Sequence, residues 1–223
     1  MTGNLPCPLC TSAQTAPYFR DQRREYLRCK ECALVFVPPA FFLSPQAEKA
    51  EYDLHENTVD DPGYRRFLAR LVEPLLQRLL PGARGLDFGC GPGPALAAMF
   101  VEAGHPVDLY DCFYQPDTSV LSPSYGFICA TEVVEHLHRP GRELDRLWAM
   151  LEPGGILGIM TKLVRDREAF ARWHYKNDST HVCFFSRDTW AWWARRNGAA
   201  LEIIGADVIL LSQVSPADSS ISR

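Results

Sequence analysis

The segment Leu86-Asp87-Phe88-Gly89-Cys90-Gly91-Pro92-Gly93-Pro94 constrains the fold of this chain more than any other. Residues 85–88 read as a short strand. The glycines at 89, 91 and 93 let the backbone bend tightly and approach a ligand with no Cβ in the way. Pro94 then opens a helix over 95–101, closed by Gly104, whose first N–H groups face outward for a ligand. Residues 107–110 read as the next strand, ending at Asp111, twenty-two residues after Gly89. A carboxylate there can accept hydrogen bonds from both hydroxyls of a ribose.

The alternation continues along the chain, as a doubly wound α/β sheet requires. Residues 127–130 form a strand, followed by a helix with Leu144, Leu147, Trp148 and Leu151 on one face. Pro153-Gly154-Gly155 then turns into a strand over 156–160. Ser186 caps a last helix with Trp190, Trp193 and Ala194 inward and Trp192 at the surface, and Asn197-Gly198 ends it. Two closing strands lie within 201–211. Upstream, Asp61-Pro62 reads as N-cap plus first helical residue. Phe67, Leu68, Leu71, Val72, Leu75, Leu76, Leu79 and Leu80 follow at 3.6-residue spacing, with Pro74 as a kink and Pro81-Gly82 as the stop.

The N-terminus is different in kind. Four of the 8 cysteines sit in two pairs, Cys7-Pro8-Leu9-Cys10 and Cys29-Lys30-Glu31-Cys32, eighteen residues apart. A two-residue gap lets both thiolates of one turn reach one ion, and two such turns close the tetrahedral shell of a structural zinc. With all four positions filled by sulfur, Cys7, Cys10, Cys29 and Cys32 hold shape and do not catalyse. Residues 26–28 and 33–37 read as the strands of a small ribbon that Pro38-Pro39 ends. The organisation expected is therefore a zinc ribbon over 1–40 and a connector over 41–62 that can serve as a lid. A nucleoside-binding domain follows over 63–211, then a polar tail over 212–223. At 223 residues and 47% hydrophobic, the chain suits one full domain plus this appendage.

Two cofactors compete for the glycine turn. A dinucleotide site wants G-x-G-x-x-G, and its last glycine is here Pro94, which counts against NAD. S-adenosylmethionine carries no phosphate, and an acidic residue such as Asp87 suits its positive charges. A purely structural turn is the third reading.

The sequence here resembles a known family. Residues 85–93 look like motif I of the class I S-adenosylmethionine-dependent methyltransferases. Asp111 matches the acid closing their second strand, and Phe127-Ile-Cys-Ala-Thr-Glu-Val-Val-Glu-His136 looks like their fourth-strand motif. Residues 151–156 resemble the turn into their fifth strand. Zinc-binding extensions occur on some such enzymes. The resemblance implies a seven-stranded Rossmann-like sheet. It also implies a cofactor site at Asp87, Gly89, Cys90, Gly91, Gly93, Asp111, Ala130, Thr131 and Glu132. The sequence departs from the family at one point: only residues 112–125 separate the second strand from the next one, where a further helix and strand are usual. Phe113, Tyr114 or Gln115 can substitute in the adenine wall.

Methyl transfer by direct displacement needs alignment and dryness, and a base only where the nucleophile must lose a proton. His136, His174 and His181 are the candidate bases. His136 closes the fourth motif, while the other two lie in the polar and aromatic stretch 173–181. His55, with Tyr52 and Asn57, sits in the connector. Glu132 and Glu135 read either as cofactor-side acids or as a solvated helix start.

The net charge is −4. Residues 1–40 hold five basic and three acidic side chains, about neutral once four thiolates and Zn²⁺ are counted. Neither part has the charge that phosphate-driven affinity requires, so a small-molecule acceptor is expected. RNA or protein recognition through Arg20, Arg23, Arg24 and Arg28 is the alternative, and a non-catalytic nucleoside- or partner-binding module the third. No apolar run is long enough for a membrane span, and Met1 to Pro6 lack a signal-peptide pattern, so the expected location is cytoplasmic.

Overall fold

In this computed structural model, which describes residues 5–54 and 58–213, ten strands form two sheets. The first begins with β1 (Thr15–Arg20), β2 (Glu25–Cys29) and β3 (Val35–Phe36), an antiparallel ribbon. Two helices follow. Ser44 caps α1 (Pro45–Tyr52) by accepting from the Ala47 N–H, and Asp61 caps α2 (Pro62–Leu76) by accepting from the Tyr64 N–H at 2.6 Å. The expected helix is thus real, but it ends at Leu76. Leu80 lies beyond it and is 80% exposed.

The alternating part comprises β4 (Gly85–Phe88), α3 (Ala95–Glu102), β5 (Val107–Tyr110), β6 (Tyr125–Thr131), α4 (Pro140–Ala149) and β7 (Leu151–Met160). It continues through α5 (Arg167–Ala171), β8 (Cys183–Phe184), α6 (Arg187–Asn197), β9 (Ala199–Ile204) and β10 (Val208–Gln213). The main sheet has the order β5-β4-β6-β7-β10-β9; its first four strands are parallel and β10 runs antiparallel to both neighbours. This is an α/β fold with six strands among the described residues, where seven were expected. The segment after β5 is too short for a crossover helix plus a strand. It forms only a 3₁₀ turn, Thr118–Leu121, and leaves β5 at the edge.

Both faces of the sheet are covered, and the alternation along β6 shows how. Phe127 and Cys129 face Leu68, Leu71, Leu75 and Phe100 of α2 and α3. Ile128 and Ala130 face Leu144 and Leu147 of α4 and the two buried tryptophans of α6, Trp190 and Trp193. Ser186 caps α6 in a capping box with Thr189, and Gly198 ends it in the left-handed conformation. Two local expectations differ. Pro153-Gly154-Gly155 is not a turn before the strand but an irregular stretch inside β7, where pairing with β6 slips between Tyr125 and Phe127. Residues 212 and 213 belong to β10 and not to a tail; the remainder of that stretch, 214–223, lies outside the described residues.

The ribbon is not a loosely attached unit. Its sheet is completed by β8, from the C-terminal half of the chain, through Val35 opposite Phe184 and Phe36 opposite Cys183. Leu34, Val35, Phe36 and Val37 are all buried, and Tyr26 packs edge-on to Phe170 and Phe184. On the other side Gly141 of α4 lies so close to the first cysteine turn that a Cβ there would sit 2.2 Å from the Leu9 carbonyl oxygen.

Candidate active site

The glycine turn leaves the carboxyl end of β4 with Gly89 at φ +79°, where a Cβ would also strike Val133 at 2.4 Å. Asp111 holds this turn open. Its Oδ2 accepts from the Gly91 N–H at 3.0 Å, and its Oδ1 accepts from the N–H groups of Phe113 and Tyr114 at 2.8 and 3.1 Å. Beneath the turn, burial pushes the Asp87 carboxyl up to about 7 against one bond from the Ala97 N–H. Burial also pushes the Cys90 thiol up to about 12, so the turn presents no thiolate.

The turn opens onto a cleft of about 1210 Å³. Gly89, Cys90, Gly91, Gly93, Asp111, Thr131 and Glu132 line it, as do His136, His174 and His181. Asp87 and Ala130 do not: Asp87 is buried under the turn, and the Ala130 side chain packs in the core behind β6. Phe113 and Tyr114 reach the wall beside Asp111, and Phe113 lies 5.8 Å from the Tyr52 ring of α1. The connector thus contributes Glu48 and Tyr52 to the cleft, with the Tyr52 hydroxyl donating to Glu48 at 2.7 Å. His55 and Asn57 lie outside the described residues.

Beyond the glycine turn the cleft floor is a buried polar cluster. Glu132 stands at φ +53°, an uncommon conformation for a side chain with Cβ, and its N–H donates to the Met160 carbonyl. The Tyr175 hydroxyl donates to Glu135 and lies 3.4 Å from Glu132 and 3.3 Å from the Thr161 hydroxyl. Burial pushes Glu132 up to about 7, and burial together with the Glu132 charge pushes Glu135 up to about 8. Neither glutamate is the solvated helix start that the sequence allowed. Thr131 Oγ1 and Glu132 Oε1 are buried with no hydrogen-bond partner among the described residues, and both residues border the cleft.

The three candidate histidines differ in their surroundings. The His136 ring stands edge-on to Tyr52 at 5.2 Å and to His181 at 4.6 Å. His181 Nδ1 lies 2.8 Å from the Tyr175 carbonyl, which can only accept, so Nδ1 carries the proton. Burial lowers the His181 pKa, and the neutral ring with Nδ1–H has an unprotonated Nε2 that lies 3.7 Å from Asp178 Oδ2. His174 Nε2 instead accepts from the Lys162 ammonium at 3.3 Å, which occupies its lone pair. The sequence marks the stretch 173–181 as polar and aromatic but gives no sign of the role of Tyr175. Nor does it mark Lys162, Tyr64 and Phe67 as part of the cleft wall, where the fold places them.

The four paired cysteines converge. Their Sγ atoms all lie within 4.8 Å of one another, with Cys7–Cys32 and Cys10–Cys29 both at 3.5 Å. Tetrahedral zinc with bonds of about 2.3 Å needs sulfurs about 3.8 Å apart, whereas a disulfide needs about 2.05 Å. The two turns repeat one geometry. Each first cysteine donates its N–H to a carbonyl five residues on, at Ser12 and Leu34, and the residue after each second cysteine, Thr11 and Ala33, has φ +61°. This donor set fits a structural zinc ion.

A protein-family model described as "Methyltransferase domain" matches residues 63–202. The ubiquinone biosynthesis O-methyltransferase of Nitrobacter winogradskyi is 34% identical over 114 residues, covering 41% of this chain and 43% of that protein. The chain therefore spans less than half the length of that relative. Among solved structures, the 1,6-didemethyltoxoflavin N1-methyltransferase of Burkholderia thailandensis, with 1,6-didemethyltoxoflavin and S-adenosylhomocysteine bound, aligns with TM-score 0.54 at 17% identity. That alignment covers 89% of this chain and 99% of the other. The magnesium protoporphyrin IX methyltransferase of Synechocystis PCC 6803, with S-adenosylhomocysteine bound, aligns with TM-score 0.52 at 13% identity over 78% and 96% of the two chains. These structural likenesses concern the fold.

Proposed function

The chain belongs to the methyltransferase domain family, and on that premise we propose that it transfers a methyl group from S-adenosylmethionine to a small-molecule acceptor. When bound, S-adenosylmethionine supplies a methyl group activated by its sulfonium. The observation that carries the reading is the continuity of one cleft from the Gly89–Gly93 turn to His136 and His181. At about 1210 Å³ it exceeds the roughly 300–1,000 Å³ of a single-ligand pocket, as a site for two reactants should.

The residues of the turn, with Asp111, would hold the nucleoside end of the cofactor. Oδ2 of Asp111 keeps acceptor capacity for a ribose hydroxyl after bonding Gly91. The unpartnered Thr131 Oγ1 and Glu132 Oε1 would serve donors of the cofactor's polar end. On the acceptor side, the bare Nε2 of neutral His181 accepts a proton from the nucleophile, and the Tyr175 carbonyl holds the ring in that tautomer. His136 forms the adjoining wall. Tyr52, on α1, packs its ring edge-on to that of His136 and would limit water on that side of the cleft.

Two observations favour a small acceptor over RNA. The arginines expected on one ribbon face are dispersed: Arg24 is buried, while Arg23 donates to the Asn177 carbonyl. Tyr and Trp rings also converge beside the cleft, with Trp173 5.0 Å from Tyr175. Four thiolates from the paired turns would hold zinc as a structural ion. Calorimetry with S-adenosylhomocysteine and NAD tests the reading: one S-adenosylhomocysteine should bind per chain and NAD should not, and the reverse preference would overturn it.

A further inference from the structure

Arg24 sits in the turn between β1 and β2, far in sequence from the cleft, yet it is 7% exposed and, among the described residues, its guanidinium bonds backbone carbonyls and no carboxylate. Its guanidinium donates instead to four carbonyls of one short segment. Nη1 reaches the carbonyls of Ser179 at 3.1 Å and His181 at 3.0 Å, and Nη2 reaches those of Asp178 at 2.7 Å and Lys176. A planar fork of five N–H donors suits such a convergence, and an ammonium on a flexible stem does not.

The turn that offers Arg24 is itself fixed. Asp21 Oδ1 accepts from the N–H groups of Arg23 and Arg24, both at 2.8 Å. Asp21 Oδ2 accepts from the Tyr26 hydroxyl at 3.0 Å and the Lys176 ammonium at 3.3 Å. A chain of bonds therefore runs from the ribbon to the segment that ends in His181. On the far side of that segment the Val37 N–H donates to the Val182 carbonyl, and the Val182 N–H donates to the Glu135 carbonyl.

We propose that Arg24 is a positioning residue for the acceptor side of the cleft, gathering the 176–181 carbonyls so that His181 is held against Tyr175 and faces His136. The ribbon is then a built-in brace of the active centre and not a recruiting appendage. This rests on the reading that the cleft is a methyl-transfer site, but the positioning itself can be measured without an acceptor.

The groups facing His181 are Asp178 on its own segment, Arg24 from the ribbon, Lys162 after β7, and Glu135 and His136 after β6. Replacing Arg24 by Met removes both its charge and its fork, whereas Lys keeps the charge and loses the fork. The two variants therefore separate positioning from electrostatics. The experiment compares full-length zinc-loaded wild type, Arg24→Lys, Arg24→Met and the exposed control Arg20→Met. It reads the ¹⁵N resonances of His181, backbone amide exchange over 176–184, zinc content and S-adenosylhomocysteine binding.

Both Arg24 variants should lose the Nδ1–H signature of His181 and shift its titration up toward the ordinary imidazole value. Exchange at the Val182 N–H should accelerate by about tenfold or more, as losing charge-assisted hydrogen bonds implies. Zinc content and S-adenosylhomocysteine affinity should match those of Arg20→Met, because the glycine turn and the cysteine turns are untouched. An Arg24→Lys protein with wild-type His181 resonances and wild-type exchange would overturn the proposal. Failure of wild type to bind S-adenosylhomocysteine would instead overturn the methyltransferase reading and leave the positioning result standing.

Discussion

Asp111 Oδ2 accepts a 3.0 Å hydrogen bond from the Gly91 N–H, so the acid at the end of β5 and the turn at the end of β4 form one rigid rim. The same carboxylate also takes the N–H groups of Phe113 and Tyr114. One side chain thereby shapes both the glycine turn and the aromatic wall beside it.

Replacing Asp111 by Ala leaves three N–H donors without their acceptor, at about 1–3 kcal/mol for each that stays buried. Part of that loss falls on the cofactor-binding conformation. The S-adenosylhomocysteine affinity of Asp111→Ala should therefore fall by about tenfold to hundredfold by calorimetry. Unchanged affinity would remove Asp111 from the site.

Replacing His181 by Ala should lower methyl transfer by about 10²–10⁴-fold and leave S-adenosylhomocysteine affinity in place. Because burial depresses the pKa of this imidazole, the active neutral form persists below the ordinary value of 6.5. The rate should therefore rise with pH along a limb centred below 6.5 and be flat at neutrality. A limb centred at or above 6.5, or one that survives in the Ala variant, would exclude His181 as the base.

What the sequence discloses follows from how local each feature is. The glycine turn and Asp111 are legible because one βα unit and its next strand fix their spacing, and the cysteine turns because four ligands need two short gaps. The number of strands is not: the resemblance implies seven, and the short segment after β5 leaves six among the described residues. Glu135 carries a mark only as part of the 127–136 motif, and Tyr175 and Arg24 have no local mark of the roles they take. Tyr175 meets Glu135 across 40 residues and Arg24 meets His181 across 157, so only the packed fold brings them together. The strand β8 is two residues long, and nothing in Cys183-Phe184 announces that it completes the ribbon's sheet.

Glu135 predicts a pH dependence of stability. Burial and the Glu132 charge raise it from 4.5 to about 8, so the folded chain binds a proton that the unfolded chain releases. This contribution is full below pH 4.5 and is lost as pH rises toward 8. Glu135→Gln stays neutral and can keep the Tyr175 contact, so its melting temperature should fall less between pH 5 and pH 8 than that of wild type. Parallel curves for the two proteins would show that Glu135 ionises freely.

Zinc should be present at about one ion per chain by metal analysis. Cys29→Ser should lose it and lower the melting temperature by about 5–10 °C, the drop expected for about 2–3 kcal/mol in a chain of this size. The destabilisation should extend to amide exchange at Phe184, because β8 pairs with the ribbon. A metal-free wild type with the same melting temperature would contradict a structural ion.

Transfer of a labelled methyl group from S-adenosylmethionine into a metabolite extract and, in parallel, into total RNA distinguishes the two acceptor classes in one measurement. Label should enter the small-molecule fraction and be strongly reduced by His181→Ala. Label confined to RNA, or no transfer by a protein that binds S-adenosylhomocysteine, would contradict methyl transfer to a small molecule.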